Sequence, residues 1–383
     1  VGNQGSGNVR ALSRWCDIAA IADVYRPRAE SFAKSVGATH VYQDYRRLLE
    51  HKDIDAVVIC TPHHWHAPCC IHAAQAGKDI FCEKPLTNSV LEGRRIVEAV
   101  RKYKRVLQTG LQQRSGGKEY HGIMHVRNGT IGKVTRVLAS NYCSPMEPKW
   151  PRQDIPDGLD WDFWCGPAEP PPYNFVIWDN RSNPSWVSIR PFSGGNMTDR
   201  GGHGLDIAQW GLGMDESGPE EVWVEGEPFK SVTSTPENPG GRQGGPSSPK
   251  VFMKFPGDII MELGGGPNWS GVSFVGEKGS ITVTRGRASS DPAELIAEPV
   301  KNPKVELYRS PGHHRDWLEC IRSRKLPVAD VEIGHRTCTV CHLGNFAVWL
   351  RRPIQWDPEA ERVIGDEEAN RLLSRPMRSP WHL

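Results

Sequence analysis

Through the first 110 residues, short apolar runs alternate with helical patterns, and few folds accept that order. Ile18-Ala19-Ala20-Ile21-Ala22 reads as a strand ending at Asp23. A helix follows over Pro27 to Val36, with proline in its first turn, and a second over Asp44 to Glu50. Then come a strand over Asp55 to Cys60, a helix over Ala67 to Ala76 and a strand over Asp79 to Cys82. A helix over Val90 to Tyr103 and a strand over Val106 to Thr109 complete the run. Such alternation predicts an α/β fold, a doubly wound parallel sheet with right-handed crossovers. Ligands of these sheets sit beyond the carboxyl ends of the strands. That places Asp23, Thr61 to His66, Glu83-Lys84-Pro85 and Gln112-Gln113-Arg114 at the expected pocket.

The opening Val1-Gly2-Asn3-Gln4-Gly5 suits the last two glycines of a G-x-G-x-x-G turn. The first glycine, and the first strand, are expected just ahead of Val1. Gly2 lets backbone approach a pyrophosphate, and Gly5 lets the helix pack closely on the sheet. A helix over roughly Asn8 to Trp15 would aim its N-terminus at the anion. Asp23, 21 residues after Gly2, suits the acidic residue that binds an adenosine ribose. Its charge repels a 2′-phosphate, so NAD is expected; Arg26 and Arg28 keep NADP as the alternative.

Composition removes other classes. Lys plus Arg is 47 against 45 Asp plus Glu, a net charge of +2, too balanced for a nucleic-acid binder driven by backbone charge. No apolar run reaches the length of a transmembrane helix, so no membrane partner is expected. Ten cysteines are too sparse for a disulfide framework, and Cys338-x-x-Cys341 has no second pair. Reduced thiols suggest the cytoplasm; export stays an alternative, because the chain opens inside a motif. His63, His64 and His66 share one short loop and are not expected to converge on a metal.

Two stretches carry chemistry. Glu83-Lys84-Pro85 follows a strand directly, where a lysine can hold a carbinol oxygen; Pro85 suits a cis bond. Ser193 to Asp206 packs glycines around Asp199 and His203. If the chain is helical from about Thr198, these two lie four apart on one face. The carboxylate then orients the imidazole and raises its basicity, as a general base requires. The clustered glycines imply close approach by another group.

After about residue 118 proline and glycine become dense. Strands are expected over Val134 to Asn141, Glu221 to Gly226, Val251 to Phe255, Asp258 to Leu263, Val272 to Gly276 and Ser280 to Thr284. Gly276 to Gly279 reads as a hairpin turn, Gly240 to Gly245 as a flexible loop, and His313 to Ile321 and Gly334 to Leu350 as helices. The tail from Asp357 carries no recognisable chemistry and is expected to pack on its own chain or on a neighbour.

These stretches together resemble the Gfo/Idh/MocA family of NAD(P)-dependent oxidoreductases, in its larger bacterial subgroup. The likeness runs through Gly2 to Gly5, Asp23, T-P-H-H-W-H at Thr61 to His66 and A-G-K-D-I-F-C-E-K-P-L-T at Ala76 to Thr87. It continues in W-D-F-W-C-G-P-A at Trp161 to Ala168, D-R-G-G-H-G-L-D at Asp199 to Asp206, His313 to Arg324 and Val331 to Arg336. The resemblance implies a Rossmann domain over 1–118, then an α/β domain over 119–383 with a large, open, mostly antiparallel sheet. That sheet would bind substrate on one side and build a homo-oligomer, a dimer or tetramer, on the other. The family's catalytic lysine, aspartate and histidine fall on Lys84, Asp199 and His203.

In that reading the cofactor meets Gly2, Asn3, Gln4, Gly5, Asp23, Arg26, Thr61, Pro62, His63, His66, Glu83, Lys84 and Gln113. Arg114, Tyr142, Trp164, Arg190 and His203 are the expected sugar contacts, through planar donors and aromatic faces. His203, oriented by Asp199, takes a hydroxyl proton while Lys84 steadies the alkoxide and a hydride leaves for the nicotinamide. Two alternatives stand beside this dehydrogenase of sugars, polyols or glycosides. One is a glycosidase that oxidises, eliminates and reduces without net NADH. The other is a sugar- or cofactor-binding protein without catalysis.

Overall fold

The computed structural model describes residues 1–145, 150–178, 185–227 and 249–383. The alternation forms a parallel α/β layer. Ala20–Ala22 pairs with His40–Tyr42, and Ala56–Ile59, Asp79–Cys82 and Leu107–Thr109 lie side by side, all parallel. His40–Tyr42 is three residues long, too short to show a period, and escapes the sequence reading. Local chemistry sets the helix ends. Arg26–Val36 stops at Gly37, whose φ of 74° suits a residue without Cβ. Val90–Lys102 opens with Ser89 accepting from the Glu92 amide, while the Glu92 carboxylate accepts from the Asn88 amide, a reciprocal cap. The first helix spans Asn3–Leu12, starting earlier than expected; a Cβ on Gly5 would lie 3.3 Å from that of Cys60, so the helix does press closely on the sheet.

The two parallel sheets do not pair with each other. Between their facing edges, Ala20–Ala22 and Ala56–Ile59, runs a cleft of about 1170 Å³. Its lower part is lined by Leu12, Ile18, Ala56, Val58, Trp317 and Ile321. The upper end, at Gly2, Asp23, Thr61 and Pro62, lies where the strands' carboxyl ends open.

The second layer is a nine-stranded sheet. Its order is Arg287–Asp291, Gly279–Thr284, Val272–Gly276, Val134–Ala139, Ile259–Leu263, Lys250–Phe255, Glu221–Glu225, Ile354–Asp357 and Arg362–Val363. Only Val134–Ala139 and Ile259–Leu263 are parallel neighbours. The first strand in this order and the last two were not anticipated; R-A-S-S-D has no apolar alternation to mark it. At the Gly276–Gly279 hairpin, Gly279 takes a φ of 142° and a Cβ there would meet the Asp291 carbonyl.

One face buries Val251, Met253, Phe255, Met261, Leu263 and Phe274 in the largest core, shared with residues of helices Gly201–Leu212 and Val331–Leu350. On the opposite face Trp223 stacks on Phe252 (5.4 Å, 13°), and Arg136 and Lys250 bracket Glu262. A tryptophan-rich satellite core, with Trp161, Trp164, Tyr173 and Phe192, sits beside the parallel layer. The tail packs on its own chain: Arg375 binds Glu92 and the His64 carbonyl, and Trp381 lies against Trp65 and Phe163.

All ten cysteines are free thiols, with Cys338 and Cys341 buried in a helix. No helix of the described residues is long and apolar enough to cross a membrane. The expected loop at Gly240 to Gly245 lies outside the described residues.

Candidate active site

Lys84 leaves the strand Asp79–Cys82, and the Lys84–Pro85 peptide is cis. Its Nζ donates to Asp199 Oδ1 at 2.5 Å and to the Asp199 carbonyl at 3.0 Å. Both side chains keep some exposure, 18% and 24%, so the pair borders open space. His63 stands at its edge, Nε2 3.9 Å from Asp199 Oδ1, with Nδ1 3.0 Å from Ser193 Oγ and its ring edge-on to Trp186.

Asp199 ends the helix Gly195–Asp199, Arg200 interrupts, and His203 lies in the first turn of Gly201–Leu212. No hydrogen bond joins Asp199 to His203, contrary to the expected pair on one helix face. The ammonium of Lys84 is the stronger partner for a carboxylate, and it claims Asp199. His203 instead meets Arg285, whose Nη2 is 3.4 and 3.3 Å from Nδ1 and Nε2, and the edge of Trp269. Burial, then the charges of Lys84 and Arg285, push the His203 pKa well below its ordinary value against the pull of Asp199. The imidazole is therefore neutral at pH 7 and able to accept a proton.

Several expected sugar contacts serve the scaffold instead. Arg114 is fully buried, its Nε on Asp206 Oδ1 (2.8 Å) and its Nη atoms on Asp215 (3.1 and 2.7 Å). Burial raises Asp206 to about 6 despite Arg114. Tyr142 is buried and donates to the Trp269 carbonyl at 3.0 Å. A Cβ on Gly204 would lie 2.2 Å from its hydroxyl, so the glycines near His203 admit Tyr142. Trp164 stacks on Trp161 inside the satellite core. Arg190 is exposed and lies over Trp349 at 4.2 Å. Arg114, Tyr142 and Trp164 are packed within the chain, because planar donors and aromatic rings serve packing as readily as sugar binding, while Arg190 stays exposed.

The cofactor side divides similarly. Glu83 Oε1 accepts from Gln4 (3.1 Å), Asn8 (2.8 Å) and Gln112 (3.3 Å), tying the first helix to the strand ends. His66 bridges the Pro85 and Thr61 carbonyls at 2.8 and 3.0 Å and is fully buried, a strut between loops. Gln113 donates to the Ser270 carbonyl, and Arg26 forms an exposed pair with Glu30. Asp23 is buried at its strand end, gripped by both Arg28 nitrogens at 2.8 Å and by the Tyr25 amide. Burial raises its pKa, and Arg28 pulls it down.

A dinucleotide fits what remains. Gly2 caps the first helix with extended backbone and no side-chain bond, and the first turn holds no acid, leaving its amides for an anion. Asp23 stands one strand away. Thr61 Oγ1 is buried beside them without a hydrogen-bond partner, and Pro62 opens the turn that carries His63.

Sequence reasoning missed Asn8, Trp269 and Arg285. Asn8 carries a usable signal, since it sits one helical turn after Gln4. Arg285 carries none; an arginine in a hairpin looks like any surface charge.

The NAD-binding Rossmann-fold model of the Gfo/Idh/MocA oxidoreductase family matches residues 2–111. The model of its C-terminal α/β domain matches 130–234 and 296–383. The chain belongs to this family. It is 39% identical over 133 residues to the uncharacterized oxidoreductase YrbE of Bacillus subtilis, covering 34% of this chain and 39% of that protein. It is 33% identical over 128 residues to myo-inositol 2-dehydrogenase of Thermotoga maritima, covering 33% and 38%. The match thus spans about two-fifths of these curated relatives. Among solved structures, the aldose-aldose oxidoreductase of Caulobacter crescentus superposes with a TM-score of 0.61 at 18% identity, covering 88% of this chain and 91% of that one.

Proposed function

We propose that the protein is an NAD-dependent dehydrogenase that oxidises a hydroxyl-bearing carbon of a sugar, polyol or glycoside. One observation carries the reading: Lys84 and Asp199 meet at 2.5 Å beside a neutral, buried His203, at the carboxyl ends of a parallel sheet. Relatives named as inositol dehydrogenases support the substrate class. When bound, NAD supplies the hydride acceptor. Gly2, the first-turn amides, Asp23 and Thr61 would hold it.

The chain's own groups do the rest. Lys84 Nζ donates to the substrate oxygen and stabilises the alkoxide as it forms. Asp199 Oδ1 fixes that ammonium in place. His203 accepts the hydroxyl proton on a ring nitrogen, which its depressed basicity leaves free at neutral pH. His63, buried 3.9 Å from the same Asp199 oxygen, walls the site from water.

The chain is read further as a dinucleotide-binding unit over 1–118 and a substrate unit over 119–383, working as a cytoplasmic homo-oligomer. The half-exposed sheet face with Trp223 and Phe252 is the proposed subunit contact. A panel of sugars, polyols and glycosides tests the activity, with NADH absorbance read beside product chromatography. NADH formation on any member supports a dehydrogenase. Sugar release without NADH would replace it with the redox-neutral glycosidase.

A further inference from the structure

Trp269 and Arg285 stand against His203, and neither is part of a core. Trp269 is 42% exposed, yet its loop is fixed. Its carbonyl accepts from Tyr142, the Ser270 carbonyl accepts from Gln113 at 3.1 Å, and the Ser270 amide donates to Asn268 at 3.0 Å. Arg285 sits in the hairpin between Gly279–Thr284 and Arg287–Asp291. The next amide, Gly286, donates to the buried Glu119 carboxylate at 2.7 Å. Two rigid segments thus bring an open aromatic face and a guanidinium to one imidazole.

The guanidinium has no carboxylate partner among the described residues. It lies over the Trp269 ring at 5.1 Å and reaches His203 with Nη2. Being nearly equidistant from both ring nitrogens, it commits to neither lone pair. Lys84 and Asp199 offset each other, so Arg285 leaves the site with an unbalanced positive charge. That charge opposes protonation of the base beside it. An anion on the ligand would satisfy the guanidinium and ease proton transfer to His203. A single planar guanidinium matches the two oxygens of a carboxylate. A phosphate dianion would call for a second free cation.

We propose that Arg285, seated on Trp269, binds a carboxylate of the substrate, making the preferred substrates acidic sugar derivatives such as uronates rather than neutral polyols. The proposal rests on the dehydrogenase reading for the role of His203. Arg285 is a specificity residue: it holds the substrate's acid group while Trp269 takes a C–H face.

Calorimetric titration of the NADH-loaded protein with D-glucose against D-glucuronate, and D-galactose against D-galacturonate, tests it. The acid of at least one pair is expected to bind about tenfold or more tighter than its neutral partner. In Arg285→Gln that ratio is expected to fall to within about twofold, with Arg285→Lys intermediate. Circular dichroism confirms that the variants are folded. No acid preference in either pair, or a preference that survives Arg285→Gln, overturns the proposal. NADH formation from the same sugars by wild type and Lys84→Met judges the wider reading separately. Lys84-dependent oxidation without acid preference sinks the carboxylate site and leaves the dehydrogenase standing. No NADH from any of these sugars sinks the dehydrogenase reading, turnover that ignores Lys84 sinks the lysine's role in it, and either result leaves the binding ratio to judge Arg285.

Discussion

Lys84→Met deletes the ammonium that meets Asp199 while keeping most of the side chain's bulk. A preorganised donor aimed at a developing oxyanion is worth about 10²–10³-fold in kcat, and that loss is expected here. Asp199→Asn should cost less, because the donor stays and only its anchor weakens. A free lysine carries about 2 kcal/mol of rotamer entropy, so releasing it slows turnover by up to about 30-fold. The double variant is expected to be no slower than Lys84→Met alone, since Asp199 acts through Lys84 at 2.5 Å. Initial NADH formation on the best substrate of the panel gives the rates. Fluorescence titration of NADH should show affinity within about threefold of wild type, assigning the loss to chemistry. Lys84→Met activity within about tenfold of wild type would refute the lysine's role. Additive losses in the double variant would refute the pairing and return Asp199 to His203.

The other predictions are independent of turnover. Burial holds His64 and His313 at about 3 and His66 and His342 at about 4, against 6.5 for a free histidine. The unfolded chain therefore binds more protons as pH falls from 6.5 toward 4, and stability must fall with it. Tm should be level above pH 7 and drop steeply between 6 and 4; a flat profile there contradicts the neutral buried rings. Gly334→Ala gains about 1 kcal/mol of helix propensity, but its Cβ would stand 2.2 Å from Thr109 Oγ1 and 3.2 Å from Leu86. The clash should win, destabilising by about 1–3 kcal/mol in urea melts, and a stabilised variant would disprove it. Asp23→Ala frees Arg28 for a 2′-phosphate, so the NADPH-to-NADH affinity ratio should rise by about tenfold or more. An unchanged ratio would remove Asp23 from cofactor choice.

Strand and helix periods carried the parallel layer to within a residue or two at Asp79–Cys82 and Val90–Lys102, because each element there buries one face over its length. The period fails where an element is short or polar, as in His40–Tyr42 and Arg287–Asp291, whose places come from pairing with neighbours. The three proposed catalytic residues were legible because each sits in a local motif with punctuation: a strand end before Lys84, a glycine cluster around Asp199 and His203. Their mutual bonding was not. Spacing on one helix suggested Asp199 with His203, while the shorter bond goes to a lysine 115 residues away. Contacts of that range depend on how two layers dock, which no local pattern records.

Docking also explains what Arg114 and Tyr142 do for the scaffold. His203 must stand still against Lys84, yet the two come from different layers. The helix bearing His203 is held by Arg114 on Asp206, with Thr337 adding a bond to the same oxygen at 3.2 Å. Tyr142 presses into the gaps at Gly201 and Gly204. Buried ion pairs of this kind contribute little net stability, because desolvation offsets their attraction. Their directional bonds do fix position, and a catalytic constellation tolerates errors of only about 0.5 Å. Tyr142 serves both roles at once, since the hydroxyl that fills the gap at Gly204 also holds the Trp269 carbonyl. Arg114 and Tyr142 therefore set where the proposed base and the Trp269–Arg285 wall stand.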